Sequence, residues 1–297
     1  MFHCSPGSRA VRGLLSGLLA TAAVSACAEL PAAFTRLLEA RRVASELHVA
    51  FTRASDAANR SVMAETDATS GEAAAEARRD RRVVEGDVRA LRSLLQSLRY
   101  REDLGLLDAF AARYREYARL DDEILGLAVE NTNLKAQRLS FGSAREAAGA
   151  FGASLDAARA ETPTREAWRA EALAARAVAA VLEIEVLQAP HIAESEDAAM
   201  TALEERMAAH AREARAAVSE LGALVGSRGR PHLAAAAEAL DRFMSVNSEI
   251  VSLSRRNSNV RSLALSLGRK RVVTAECEEQ LGALEQALER HEHTATR

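Results

Sequence analysis

The sequence predicts an all-α protein built as two tandem antiparallel four-helix bundles from an internal duplication, and three observations carry that expectation. Composition is the first: Ala, Leu, Arg and Glu dominate, while only 5 prolines and 4% aromatic residues occur in 297 residues, a balance that favours long helices over sheet. The second is a seven-residue periodicity. Val246, Leu253, Val260 and Leu267 form one row, with Phe243, Ile250, Asn257 and Ala264 as its companion, the pattern of a helix with one buried stripe. The third is a repeated phrase. Asn131-Thr-Asn-Leu-Lys-Ala-Gln-Arg-Leu-Ser-Phe-Gly142 returns as Asn257-Ser-Asn-Val-Arg-Ser-Leu-Ala-Leu-Ser-Leu-Gly268. Upstream, Glu123-Ile124 aligns without a gap on Glu249-Ile250, which reads as a repeated structural unit.

Four helical stretches are predicted in each half. In the first they run from Pro31 to Thr66, Gly71 to Tyr100, Glu102 to Phe141 and Ser143 to Glu161, divided at modest turn signals. Thr162-Pro163 supplies a helix cap followed by a proline at the first helical position, so the boundary is expected there, between a first bundle over 31–161 and a second over 163–293. The second half reads Pro163 to Met200, Thr201 to Val225, His232 to Leu267 and Arg269 to Glu292, with Gly226 to Pro231 as its clearest loop. The first two helices of each half lack a strong breaker between them, and Pro190 is a candidate kink. A third helix of about 35 residues would extend about 50 Å, giving two slender bundles, stacked or side by side.

Residues 1–26 read as an export signal: Arg9 and Arg12 precede an apolar stretch from Gly13 to Ala23 and then small residues. Val24-Ser25-Ala26-Cys27 resembles a bacterial lipoprotein signal, in which Cys27 carries lipid. Simple cleavage and an uncleaved anchor are the alternatives. The expected location is therefore the periplasm, attached to the membrane. Removing residues 1–26 takes away two arginines and no acid, so the net charge moves from −3 to −5. Charges of both signs are interspersed, with no basic patch for nucleic acid. Cys277 would be the sole remaining thiol, and no disulfide is expected.

Asn131 and Asn257 fall in the apolar rows, and Lys135 and Arg261 follow each by four residues on one helix flank. Two readings stand side by side. A buried asparagine in a heptad seam fixes register and partner choice, and replacing Asn257 with Leu is then expected to stabilise the bundle by roughly 1 kcal/mol or more while loosening its choice of partner or alignment. Alternatively, the amides and cations of Asn131, Lys135, Asn257 and Arg261 bind a small carboxylate.

On the phrase N-x-N-[LV]-[KR], and on the helix around Thr274-Ala-Glu-Cys277, the chain resembles the four-helix-bundle sensor domain of bacterial methyl-accepting chemotaxis receptors. The likeness spans about Leu37 to Leu288. It implies an extracytoplasmic, ligand-responsive and often dimeric module, with a small organic acid or a partner envelope protein as occupant. Such receptors continue into a second membrane span and a cytoplasmic coiled coil. Here the chain stops at Arg297, so any signal is expected to pass by contact with another protein; the alternative is a structural cell-envelope lipoprotein.

Metal chemistry finds little footing in the sequence. His191 and Glu194 share a helix face, but the residues at the corresponding offset in the first half are Val62 and Glu65. No Glu-x-x-His pair for a di-iron bundle and no C-x-x-C-H haem motif is present. A phosphate-binding Gly-rich loop, a G-x-S-x-G elbow and H-E-x-x-H are also missing. The chain is expected to be non-catalytic and free of cofactors. Cys277 fits a core row with Val273, Leu281 and Leu284, Trp168 and Tyr117 are expected to pack inside, and His291 and His293 to lie in a fraying end.

Overall fold

The structure, a computed structural model, describes the backbone of residues 12–295 and the side chains of residues 32–294. It is all-α. Of the expected export signal, residues 1–11 lie outside the described residues, and so do all of its side chains and that of Cys27. Among the described residues no helix is long and apolar enough to cross a membrane.

Helices α1 (Arg12–Val62) and α2 (Asp67–Leu98) are separated by a short turn, where the Thr66 hydroxyl accepts the Thr69 N–H at 3.1 Å and so caps the new helix. Arg99, at φ 59°, reverses the chain into α3 (Arg101–Glu130), whose first turn carries Glu102 and Asp103, the charge that a helix start favours. The predicted third helix does not continue to Phe141. It stops at Asn131, and α4 (Thr132–Leu139) leads through a π-helical turn, Ser140–Ala144, into α5 (Arg145–Ala160).

The second half repeats the plan. After a 3₁₀ turn come α6 (Ala167–Ala193), α7 (Asp197–Gly222) and α8 (Arg230–Arg256). The chain breaks at Asn257, resumes as α9 (Ser258–Leu265), kinks at Gly268 (φ −89°, ψ −110°) within Ser266–Lys270, and ends in α10 (Arg271–Ala295). Pro190 sits inside α6 and Pro231 in the first turn of α8.

Before the breaks both heptad rows hold in the first half, but in the second only the row of Phe243 and Ile250 does, since Val246 and Leu253 are half-buried. Tyr117, Leu120, Ile124 and Leu127 are buried, as are Phe243 and Ile250, whereas Phe141 and Leu267 are 67% and 63% exposed. Two departures from α-helical geometry explain the change. A left-handed residue interrupts the helix in each half, and beyond it the second half kinks at Gly268, while the first half gains a residue in a π-turn, which rotates the following face by about 100°. The buried face of the continuation becomes Ala136, Ala144, Ala147, Phe151 and Leu155.

The chain forms two compact units, and they do not follow the expected boundary at Thr162-Pro163. One holds the chain up to Ala57, Ala75–Leu120 and the chain from Arg269 on; the other holds Ala58–Ala74 and Asp121–Gly268. In the first unit, α10 completes a bundle with α1, α2 and α3: Cys277, Leu281, Leu284 and Leu288 lie in one core with Phe51, Leu91 and Phe110. Phe51 meets Phe110 edge-on at 5.9 Å and Tyr117 at 5.0 Å. In the second unit, α5 packs against α6 and α8, which together with α7 complete a four-helix bundle around Phe151, Val181, Leu221 and Phe243. Full burial of each such side chain contributes about 1.5–3 kcal/mol.

Each bundle thus takes three long helices from one half and its fourth from the other. The end of α5 is held against the loop before α8, because Gly229 lies under Val225 and the end of α5: a Cβ there would meet Val225 Cγ1 at 2.2 Å and the Ala158 carbonyl oxygen at 3.1 Å. Trp168 is 71% exposed rather than packed, since it lies in the first turn of α6, where core burial begins only at Ala170. His291 is anchored instead of frayed. Its Nε2 lies 3.0 Å from Asp103 Oδ2 and its ring stacks on Tyr100.

Candidate functional site

The two repeated phrases meet each other inside the second unit. Asn131 (φ 49°, ψ 38°) and Asn257 (φ 53°, ψ 38°) both adopt the left-handed conformation, which asparagine tolerates better than other residues bearing a Cβ because its short side chain bonds locally. Each kink ends one helix and exposes the first N–H groups of the next, α4 or α9. Such groups need acceptors when buried.

The acceptors come from the opposite phrase. The Thr132 N–H donates to Ser258 Oγ at 3.1 Å and the Ser258 N–H to Thr132 Oγ1 at 3.0 Å. One residue on, the Asn133 N–H donates to Asn259 Oδ1 at 3.1 Å and the Asn259 N–H to Asn133 Oδ1 at 3.2 Å. The amide groups close the exchange: Asn133 Nδ2 donates to Asn257 Oδ1 at 2.8 Å, and Asn259 Nδ2 to Asn131 Oδ1 at 3.0 Å. Each short helix caps the other. Asn257 Nδ2 also donates to the Glu194 carbonyl, and Asn133 Nδ2 to that of Ile192, tying the crossing to the turn between α6 and α7.

Of the four residues singled out in the sequence, the two asparagines lie in the crossing and the two cations lie near Glu130. Asn131 and Asn257 are buried and bonded to the opposite phrase; only Asn131 Nδ2 lacks a partner. Lys135 Nζ donates to the Glu130 carbonyl at 2.8 Å and lies 4.0 Å from Asp67 Oδ2. Arg261 is exposed. A carboxylate does sit among these cations, and it belongs to the chain. Arg256 holds Glu130 through two hydrogen bonds of 2.6 Å, and that guanidinium first, with Lys135 and Arg261 adding their charge, keeps the Glu130 carboxyl below its ordinary range.

His191 does not join Glu194. Its Nε2 lies 2.8 Å from Glu204 Oε1, and the same oxygen accepts from Arg255 Nε at 2.6 Å, so the histidine belongs to a bridge linking α6, α7 and α8. Hydrogen bonds from Arg255 first, and then from His191, lower the Glu204 carboxyl. Glu194 turns to the backbone N–H groups of Ser195 and Glu196. Among the described residues no cluster of three potential metal ligands occurs. Cys277 is buried in the first unit as expected, and desolvation, with Glu276 adding repulsion, pushes its thiol up to about 12.

A groove missed in the sequence lies between α2 and α3 in the first unit. Its volume is about 380 Å³, and Val88, Ala111, Tyr114 and Ala118 line it together with Glu85, Arg89 and Arg115. Tyr114 is held by its hydroxyl, which donates to the Arg81 carbonyl at 3.0 Å. Arg89 and Arg115 form no ion pair among the described residues. Their sequence signal was weak, because exposed arginines recur along every helix. No protein-family model matches the chain, and neither a curated protein nor a solved structure matches it.

Proposed function

We propose that the chain is an exported, receptor-like helical-bundle module that binds a small organic acid and is non-catalytic. The observation that carries this reading is the α2–α3 groove, where Arg89 and Arg115, neither in an ion pair among the described residues, stand with Glu85 around an apolar floor closed by a fixed tyrosine. A guanidinium pairs with a carboxylate through directed hydrogen bonds, and an apolar floor suits a short hydrocarbon body. The resemblance of the repeated phrases to chemotaxis-receptor sensor domains supports the same reading, with Cys27 as the lipid anchor and another envelope protein, or a second copy in a homodimer, receiving the signal.

The test is a thermal-shift series on the purified chain with a panel of small mono- and dicarboxylates. At one hundred times its Kd a ligand stabilises the folded state by about 2.7 kcal/mol. Arg89→Ala and Arg115→Ala are expected to remove the shift, while Arg206→Ala on α7 leaves it unchanged. Absence of a shift with every acid, in the unmodified chain, contradicts the proposal. The second reading, a ligand-free structural lipoprotein of the envelope, is favoured by one specific feature: the amides of the crossing bond each other and the Ile192 and Glu194 carbonyls, and Asn131 Nδ2 alone is left over.

A further inference from the structure

We infer that the repeated phrase is a recognition element for the other copy of itself, and that the two halves of the chain are an obligate, heterotypic pair that exchange their fourth helices. This goes beyond any ligand the module binds and does not depend on it. Three observations carry it.

The first is reciprocity. The hydrogen bonds of Thr132 with Ser258 and of Asn133 with Asn259 each occur in both directions, between residues 126 apart. Interchanging the phrases leaves that set of contacts unchanged, the signature of a self-complementary contact. The second is the fate of the segments that follow. α4 and α5 join the bundle of α6, α7 and α8, while α10 joins that of α1, α2 and α3. Neither half retains the fourth helix its own sequence supplies.

The third observation sets the partner. The residues just before the two asparagines, Glu130 and Arg256, also lie 126 apart, and they carry opposite charge in a bidentate pair. Two copies of the first phrase would bring glutamate against glutamate, and two of the second arginine against arginine. Only the unlike pairing is favourable, so the charge difference selects first phrase with second.

Two experiments on the whole chain test this. A protease site placed between Pro163 and Thr164, in the exposed turn before α6, allows the folded protein to be cut once. The two fragments are expected to co-elute at the mass of the uncut chain and to keep its melting temperature within a few degrees. Elution of two separate fragments under native conditions overturns the inference. The second leaves the loop intact. Glu130→Arg and Arg256→Glu are each expected to lower the melting temperature by several degrees, and the double exchange to restore part of the loss, since a cation at 130 also faces Lys135 and Arg261. A double variant no more stable than the worse single overturns the pairing, whatever the behaviour of the cut chain.

Discussion

Asn257 concentrates the energetics of the crossing in one side chain. Read as a register-setting amide in a continuous helix, it should be replaceable by leucine with a gain in stability. The left-handed backbone reverses that sign. A leucine there costs about 1–2 kcal/mol in backbone strain, and it strands the Asn133 amide and the Glu194 carbonyl that Asn257 serves, about 1–3 kcal/mol more. Asn257→Leu and Asn131→Leu are expected to destabilise by about 2–5 kcal/mol in urea unfolding, and Asn257→Gly by less, because glycine keeps the backbone conformation. A stabilised leucine variant would contradict this account. Cys277 gives a second test at this scale. With its thiol pushed up to about 12, it is expected to resist alkylation in the folded protein near neutral pH and to react fully in denaturant, since the thiolate is the nucleophile. Labelling of the native thiol at the rate of an exposed cysteine contradicts that. The burial of both residues was legible in the apolar rows. The sign of φ was not, because a left-handed asparagine leaves the hydrophobic spacing upstream of it intact.

At the scale of elements, the bridge of His191, Glu204 and Arg255 holds the side chains of α6, α7 and α8 at one point. Glu204 is lowered below its ordinary value by Arg255 and then His191. A depressed carboxyl contributes stability that is present above its unfolded pKa and lost as the pH falls through the folded value. Urea midpoints are expected to show Glu204→Gln clearly less stable than the unmodified protein at pH 7, with the gap closing as the pH drops below about 4. A gap of constant size down to pH 2 contradicts the bridge. Packing of the loop before α8 offers a steric test: Gly229→Ala drives a methyl group into Val225 and is expected to cost about 1–3 kcal/mol. Composition and periodicity located nearly every helix, to within a few residues at many of its ends. They missed the division of each third helix, since Asn131 and Asn257 satisfy the apolar row they interrupt, and they assigned His191 a neighbour on its own helix when its partner lies on the next.

For the whole molecule, helical content was legible and the assembly of the helices was not. α5 and α10 carry apolar faces of the same kind at the same repeat offset, so each fits either bundle by hydrophobic pattern alone, and the sequence does not say which one receives it. The crossing decides, through hydrogen bonds between residues 126 apart that no local pattern encodes. The groove at Arg89 and Arg115 was hidden for a related reason, because it is formed where two helices meet and not along either. The most direct measurement of this architecture is the separation of two spin labels in the first unit, one on α1 and one on α10. His48 and Glu285 touch there, Nδ1 to Oε2 at 3.1 Å. With cysteine introduced at 48 and 285 and the native cysteines replaced by alanine, pulsed dipolar spectroscopy is predicted to return a single short distance, as for neighbouring helices whose axes lie about 8–10 Å apart. A distribution without that short component would contradict the exchange of fourth helices and return each half to a bundle of its own.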